Sequence, residues 1–218
     1  MSGPERRAPG RPRADRPVTD RAMIGAAAIE ILRESDAHKL TITNVAARLD
    51  VRSQTLYHHV RGVSDIVDAA RAVCISRINL DCLAPDVPFV AGVTAFAIRY
   101  AEVFTPLAKN IWEFFQHPIN DPATIAMYET FLRRAIAEDL PDQRALTLML
   151  DVEYAIFMAV FEYSSLQSIL DPAVLEEHGA TALARAIAGS TSATPEGLRA
   201  RLSERVGELI QHACDPSA

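Results

Sequence analysis

The residues from Arg52 to Arg61 carry the most specific chemistry in the sequence. They read Arg-Ser-Gln-Thr-Leu-Tyr-His-His-Val-Arg, and no Asp or Glu occurs between Val51 and Ser64. A solvated helix face without a binding role more often mixes acids with bases, so the lack of acids favours a negatively charged partner. Arginine pairs with guanine and glutamine with adenine through paired hydrogen bonds. The segment therefore predicts a nucleic-acid contact.

Two short helices joined by a tight connection would position this segment. The first is predicted over 43–49 with Thr43 as its N-cap, and the second over 53–59 with Ser53 as its N-cap. The connection is the three residues 50–52, a length typical of a helix-turn-helix. Apolar residues occupy the positions where two crossed helices must touch: Val45, Ala46, Leu49, Val51 and Leu56. The pattern predicts a helix-turn-helix.

The net charge of −6 hides an uneven distribution. The chain of 218 residues holds 22 Lys+Arg and 28 Asp+Glu, which alone would argue against a nucleic-acid partner. Residues 1–80 contain 13 basic and 9 acidic side chains, whereas residues 81–218 contain 9 and 19. Such asymmetry points to a nucleic-acid site in the first part.

The remaining sequence reads as helices separated by prolines. One helix is predicted from Thr19, as its N-cap, to about Ser35, and another from about Ser64 to Leu80. The later helices are predicted at about 88–104, 106–116, 121–139, 142–170, 173–188 and 195–213. No useful stretch alternates with period two, so the predicted fold class is all-α.

Three regions are predicted along the chain. Residues 1–17 are rich in Pro, Gly and Arg and are predicted to be a flexible basic arm. Residues 18–83 form the predicted helix-turn-helix domain. Residues 84–218 form the predicted helical domain for ligand binding and dimerisation, after a hinge at Leu83–Pro88.

About 60 residues resemble the TetR family of bacterial transcriptional regulators. The resemblance lies in Leu40-Thr-Ile-Thr-Asn-Val-Ala46, Leu49-Asp-Val51, Thr55-Leu-Tyr-His-His-Val60 and Asp65-Ile-Val-Asp-Ala69. Two positions depart from the family pattern: Asp50 stands where the turn usually has Gly, and Gly62-Val63-Ser64 stands where the fourth helix often starts with Lys. Asp tolerates a left-handed backbone better than most residues, so the turn remains possible.

The resemblance and the side-chain chemistry together imply roles in DNA binding. The predicted base-reading residues are Asn44, Arg52, Ser53, Gln54 and His58. The predicted phosphate contacts are Thr43, Thr55, Tyr57, His59 and Arg61. Alternatively, Tyr57 and His59 only pack the motif. In the arm, Arg11 and Arg13 of Gly10-Arg-Pro-Arg13 are predicted to enter the minor groove, with a weakly attracted disordered tail as the alternative.

The acidic part is rich in aromatic residues and Met, which line cavities for small apolar ligands. The predicted pocket residues are Tyr100, Phe104, Trp112, Phe115, Met127, Phe131, Met149, Glu153 and Phe157. For each apolar residue of this set, a place in the ordinary core is the alternative. A carboxylate such as Glu153 in so apolar a helix is costly without a partner, which is either an Arg across a dimer or a cationic group of a ligand.

Helix 142–170 is apolar nearly all round, so it is predicted to be buried on all sides, by its own domain and by a partner subunit. Helix 195–213 has a second apolar stripe. Together they predict a homodimer through a four-helix interface, with a monomeric bundle as the alternative.

Several other classes of protein are not indicated. The sequence has no GxSxG, HExxH or phosphate loop and no nucleophilic Cys with a local site, so we expect no enzyme, catalytic residue or cofactor. His117 has no metal-ligand spacing around it, and we expect no metal. The longest uncharged run has twelve residues, too few for a membrane span. Three cysteines without CxxC spacing predict a reduced, cytoplasmic protein.

The predicted function is sequence-specific regulation of transcription. A homodimeric repressor would bind a palindromic operator in double-stranded DNA and be released by a small apolar or aromatic effector. The alternative is a ligand-independent DNA-binding protein that acts through protein partners or DNA architecture.

Overall fold

The computed structural model describes residues 19–34, 39–169, 171–190 and 194–215. Over these ranges the chain consists of helices without a strand, which confirms the all-α class. The α-helices are α1 (Arg21–Glu34), α2 (Ile42–Arg48), α3 (Ser53–Leu56), α4 (Val63–Ile75), α5 (Phe89–Phe104), α6 (Pro122–Ile136), α7 (Asp142–Ile169), α8 (Pro172–Glu177), α9 (Thr181–Ala188) and α10 (Pro195–Cys214). Two 3-10 helices span Leu80–Leu83 and Thr105–Phe114.

The predicted caps of the first two helices were wrong. Asp20, rather than Thr19, caps α1, since its Oδ1 accepts the backbone N–H three residues later at 2.8 Å. Thr41, rather than Thr43, caps α2, and its Oγ1 accepts the equivalent N–H at 3.1 Å. Each true cap lies next to a residue of the same capping type, so residue type alone did not identify the helix start.

The second helix of the motif is shorter than predicted. It spans Ser53–Leu56 and continues as a turn, and Ser53 is its first residue rather than its cap. Arg52 holds the N-cap position with no side-chain cap bond. This helix end therefore has backbone N–H groups that no cap side chain satisfies.

Other observed helix ends differ from the predicted ones where the backbone changes geometry. The predicted helix 64–80 ends at Ile75, and the predicted helix 106–116 is a 3-10 helix with a kink at Asn110. The predicted helix 173–188 is divided into α8 and α9, because Gly179 has a left-handed φ of 62° between them. Glycine adopts this conformation without steric cost, and it ends the first helix.

α1 packs directly on α4, and a glycine allows the close approach. A Cβ placed on Gly25 would lie 2.2 Å from the carbonyl oxygen of Ala69. From these two helices, one hydrophobic core continues through α5, α6 and α7 to α10. The Asn110 side chain adds a polar link, since Nδ2 donates to the Leu32 carbonyl at 2.6 Å. The helix-turn-helix part and the aromatic part therefore share packed side chains, and their division at residue 83 stays a prediction.

In the single chain α7 is buried on one face, and its predicted burial by a partner subunit on the other stays a prediction. Ala145, Val152, Ile156 and Val160 are buried, whereas Tyr154 is 56% exposed and Met158 is 47% exposed. Leu146 is also exposed. One face of α7 packs on α5 and on the Thr105–Phe114 helix, and another remains open alongside α10. None of the described helices combines the length and apolarity that crossing a membrane would require.

Candidate nucleic-acid interface and aromatic core

The turn between α2 and α3 has the geometry that its sequence requires. Asp50 has a φ of 51°, the left-handed conformation expected where the family usually has glycine. Backbone N–H groups of Asp50 and Val51 donate to the Ala47 and Ala46 carbonyls at 3.2 and 3.0 Å. Leu56 is fully buried under the turn, so the outer residues of α3 are directed away from the core.

The predicted base-reading residues lie at the surface of the motif. Arg52, Gln54 and His58 are exposed, and Ser53 is half-buried. Asn44 is exposed as well, but its Nδ2 donates to the Lys39 carbonyl at 2.8 Å, which commits one of its donors within the chain. The remaining four are placed where they can meet another molecule.

The predicted phosphate contacts surround that group. Thr43 and Arg61 are exposed, whereas Thr55 and His59 are half-buried. Tyr57 is 60% exposed, so its ring does not serve the core of the motif. These five side chains are hydrogen-bond donors of the kinds that contact phosphates.

Two arginines hold the motif on α1. Arg21 donates from Nη1 to the His59 carbonyl at 3.2 Å and from Nη2 to the Asp65 carbonyl at 3.3 Å. Arg48 of α2 pairs with Glu30 and Glu34 at 3.2 and 2.5 Å. α2, the turn that follows α3 and the start of α4 are therefore tied to the same neighbour. Arg11 and Arg13 of the arm lie outside the described residues.

The predicted pocket residues divide between core and surface. Six are buried, namely Tyr100, Phe104, Met127, Phe131, Met149 and Phe157, and Glu153 is half-buried. Trp112 and Phe115, which lie in and just after the Thr105–Phe114 helix, are 51% and 43% exposed. The set thus extends from the centre of the domain to its surface.

The aromatic rings of this set touch one another in a continuous series. Ring centroids are 5.5 Å apart for Trp112 and Phe115, 4.5 Å for Phe115 and Phe157, and 5.6 Å for Phe157 and Tyr100. Phe104 also contacts Phe157, at 5.7 Å and nearly perpendicular. These are the distances and angles of favourable aromatic packing, so the rings fill this part of the core.

The series ends at a carboxylate. Tyr100 and Tyr128 both donate from Oη to Oε1 of Glu153, at 2.9 and 2.7 Å. Burial raises the pKa of Glu153, and the two phenol hydrogen bonds and the charge of Arg71 oppose that rise. Burial beside Glu153 also raises the pKa of both tyrosines, so they remain proton donors. Tyr128 was not among the predicted pocket residues, because nothing in sequence spacing relates it to Glu153.

A buried polar cluster connects α4 with the Thr105–Phe114 helix and α6. Arg71, only 4% exposed, bonds to Asp68 at 2.5 Å and donates to the Phe114 carbonyl at 2.7 Å. It also reaches the His117 carbonyl at 3.3 Å and Asp121 at 3.8 Å. Asp68 in turn accepts from the Asn120 backbone and side chain, at 3.4 Å each.

Sequence reasoning missed this cluster. The available signal was Asp68 and Arg71 at i, i+3 spacing on the apolar face of α4, among Ile66, Val67, Ala70 and Cys74. A charged pair on a buried face requires partners from another element. The sequence does not show that two of those partners are backbone carbonyls.

Two open clefts border these regions. A cleft of about 1000 Å³ runs between α7 and α10 and is lined by Tyr154, Met158 and Leu209 together with charged residues. A cleft of about 770 Å³ lies between the motif and the start of α6, where His58, Asp65 and Asp121 contribute to its walls. The first follows the exposed face of α7, and the second separates the DNA-contact candidates from the aromatic part.

Comparison with known proteins gives structural matches only. No protein-family model and no curated protein matches the sequence. The crystal structure of a possible TetR family transcriptional regulator from Streptomyces coelicolor aligns with a TM-score of 0.71 and 17% identity, over 88% of this chain and 100% of that chain. ActR from Streptomyces coelicolor in complex with actinorhodin aligns with a TM-score of 0.70 and 16% identity, over 92% and 99%. A variant of TetR from Acinetobacter baumannii AYE in complex with minocycline aligns with a TM-score of 0.65 and 17% identity, over 92% and 97%.

Proposed function

We propose that this chain, which has the fold of TetR-family regulators, is a sequence-specific DNA-binding repressor. The observation that carries the proposal is the acid-free segment Arg52–Arg61, which α1 holds at the surface with Gln54, Tyr57 and His58 exposed. The N-terminal residues of a recognition helix contact base edges in the major groove, and flanking donors contact phosphates.

A homodimer would supply two such helices to a palindromic operator. The exposed face of α7 beside α10 gives each subunit the large side chains of Tyr154 and Met158, among charged residues, for a twofold partner to cover. Two recognition helices read half-sites roughly 34–36 Å apart, one turn of the duplex. In this proposal residues 1–17 are the arm, 18–83 the DNA-binding domain and 84–218 the helical domain.

A small apolar or aromatic effector would release the protein from DNA. The effector would bind among the predicted pocket residues, near the Thr105–Phe114 helix whose Trp112 and Phe115 are exposed. Arg71 holds the Phe114 carbonyl at the end of that helix, so a displacement there would pull on α4 and, through α1, which packs on α4, on α2 of the motif. Only an effector that binds the two states with different affinity shifts their populations.

Selection from random double-stranded DNA tests the proposal. The full chain should enrich a palindromic sequence, and a failure to enrich any sequence would exclude sequence-specific regulation. Within the site, Gln54→Ala should change the preferred base at one position of each half-site. Arg61→Ala should weaken all sequences alike and reduce the salt dependence, because it removes a phosphate contact.

The arm is tested by deleting residues 1–17. Loss of Arg11 and Arg13 from the minor groove should reduce operator affinity and its dependence on salt. If both quantities stay the same in the shortened chain, the arm takes no part in binding.

A ligand-independent DNA-binding protein remains a second candidate, and one observation favours it. The rings of Tyr100, Phe104, Phe115 and Phe157 already contact one another, so no ready-made space separates them. Operator affinity measured with and without aromatic compounds distinguishes the two functions. An effector lowers the affinity for the operator, whereas the ligand-independent protein keeps it.

A further inference from the structure

We propose that the effector carries a positively charged hydrogen-bond donor, such as an ammonium group on an aromatic frame, which binds to Glu153. The proposal rests on the proposed function, because it names the chemical class of the small molecule that the regulator would sense.

The carboxylate of Glu153 is held through one oxygen, and its other oxygen has no hydrogen-bond partner among the described residues. Tyr100 and Tyr128 both donate to Oε1, at 2.9 and 2.7 Å, and fix the group between α5, α6 and α7. No described residue donates a hydrogen bond to Oε2 or forms an ion pair with Glu153. A charged donor would satisfy the oxygen that the protein leaves without a partner.

Among the described residues, the cation whose charge acts on Glu153 is already bound elsewhere. The charge of Arg71 lowers the pKa of Glu153, but the Arg71 guanidinium bonds to Asp68 and to the Phe114 carbonyl. The negative charge of Glu153 is therefore not neutralised by a direct partner within the described chain. A half-buried carboxylate in this position attracts a cation and repels an anion.

The aromatic series provides the rest of the site. It leads from Trp112 and Phe115 at the surface, through Phe157, to the ring of Tyr100 beside Glu153. An aromatic frame that displaces Phe115 would stack on these rings, while a cation near them would also gain attraction from their faces. The series and the carboxylate together fit a flat molecule with a charged end.

Three probes of one shape test the charge. Biphenyl-4-ylmethylamine is cationic at neutral pH, biphenyl-4-ylmethanol is neutral and biphenyl-4-carboxylate is anionic. Titration calorimetry of the full chain without DNA should show the amine binding about ten- to a hundredfold more tightly than the alcohol, and the carboxylate most weakly. Trp112, the single tryptophan of the chain, should report arrival of a probe through its fluorescence.

Substitutions test whether the preference for the amine depends on Glu153. Glu153→Gln should reduce the affinity for the amine to that for the alcohol and leave the alcohol within about threefold. Glu129→Gln removes a carboxylate from the exposed side of α6 and should leave the preference unchanged. Circular dichroism melting checks that each variant is folded. If a variant does not fold, the relative affinity of the native chain for the amine and the alcohol still tests the proposal.

Three results would overturn the proposal: equal binding of amine and alcohol, a preference that survives Glu153→Gln, or no binding of any probe up to millimolar concentration. Each is distinct from failure of the proposed function, because DNA selection is carried out without any probe. A chain that enriches a palindrome but shows no preference for the amine keeps its function and loses only this effector class.

Discussion

At the scale of single residues, a few positions have a backbone conformation that only certain side chains tolerate. The family resemblance, in which glycine is usual at this turn, implied a left-handed backbone at Asp50, and its φ of 51° confirms this. The cap residues were not predicted correctly, because Thr19, Asp20, Thr41 and Thr43 are all good caps by type. The backbone that selects among them depends on how α1 and α2 pack, which is not a local property.

The turn at Asp50 gives a prediction about stability. Asp50→Gly should leave the free energy of unfolding within about 0.5 kcal/mol, because glycine accepts the left-handed backbone. Asp50→Val should lower it by about 1–2 kcal/mol, because a β-branched residue is strained at positive φ. Urea unfolding followed by circular dichroism measures both. Equal stability of the Val and Gly variants would contradict the strain argument.

Glu153 gives a prediction about pH. Burial raises the pKa of its carboxyl in the folded chain, so the folded state favours the protonated form. The associated stability is present at low pH and is lost as pH rises through the raised pKa. Tyr100, Tyr128 and the charge of Arg71 face the carboxyl and oppose part of this effect. Glu153→Gln cannot ionise, so its melting temperature relative to the native chain should rise between pH 4.5 and pH 8. A constant difference across that range would show that the group does not titrate with folding.

At the scale of helices, the sequence predicted which segments are helical more reliably than where they end. The long periodic segments became α1, α5, α6, α7 and α10. The predicted helix 173–188 failed at Gly179, and 106–116 became a 3-10 helix kinked at Asn110. Asn110 bonds to the Leu32 carbonyl of α1, so its conformation is set by a distant element. The apolar periodicity of the sequence does not predict such contacts between distant elements.

The crossing of α1 and α4 gives a second stability prediction. Gly25→Ala should lower the free energy of unfolding by about 1–3 kcal/mol, because its Cβ would lie 2.2 Å from the Ala69 carbonyl oxygen and force the helices apart. Gly207→Ala in α10 is the matched control. It meets nothing within 4 Å and should raise the free energy by up to about 1 kcal/mol through helix propensity. Urea unfolding measures both variants, and we expect the free energy of unfolding to fall for Gly25→Ala and to rise for Gly207→Ala.

The junction between α4 and the aromatic part gives a third prediction about stability. Arg71→Met should lower the free energy of unfolding by about 3–5 kcal/mol, since it leaves Asp68 and Asp121 buried without their cation. Arg133→Met removes an exposed ion pair with Glu129 on α6 and should cost at most about 0.5 kcal/mol. Thermal unfolding of the two variants at equal pH and salt gives the comparison. A cost below about 1 kcal/mol for Arg71→Met would mean that the cluster does not hold the junction.

At the scale of the whole molecule, the charge distribution of the sequence predicted a nucleic-acid site in the first part of the chain. The basic part of the chain, residues 1–80, contains the motif, and the acidic part contains α7 and α10. The apolar periodicity of α7 predicted that it would be covered on every side, whereas the single chain leaves Tyr154 and Met158 exposed. The proposed homodimer would cover this face, because apolar periodicity has the same form whether a helix is buried in a core or in an oligomer interface.

The dimer can be tested on that exposed face. Met158 is 47% exposed and lines the cleft between α7 and α10. Met158→Glu would replace an apolar side chain with a carboxylate in the proposed interface, so light scattering should show a monomer where we expect the native chain to be a dimer. Affinity for the selected palindrome should fall at least about a hundredfold, since one subunit holds only one half-site. Ile125→Glu adds the same charge at a 54% exposed position on α6 and should leave both the mass and the affinity unchanged. A native chain that is monomeric at micromolar concentration, or a Met158→Glu variant that remains dimeric, would place the interface elsewhere or remove it.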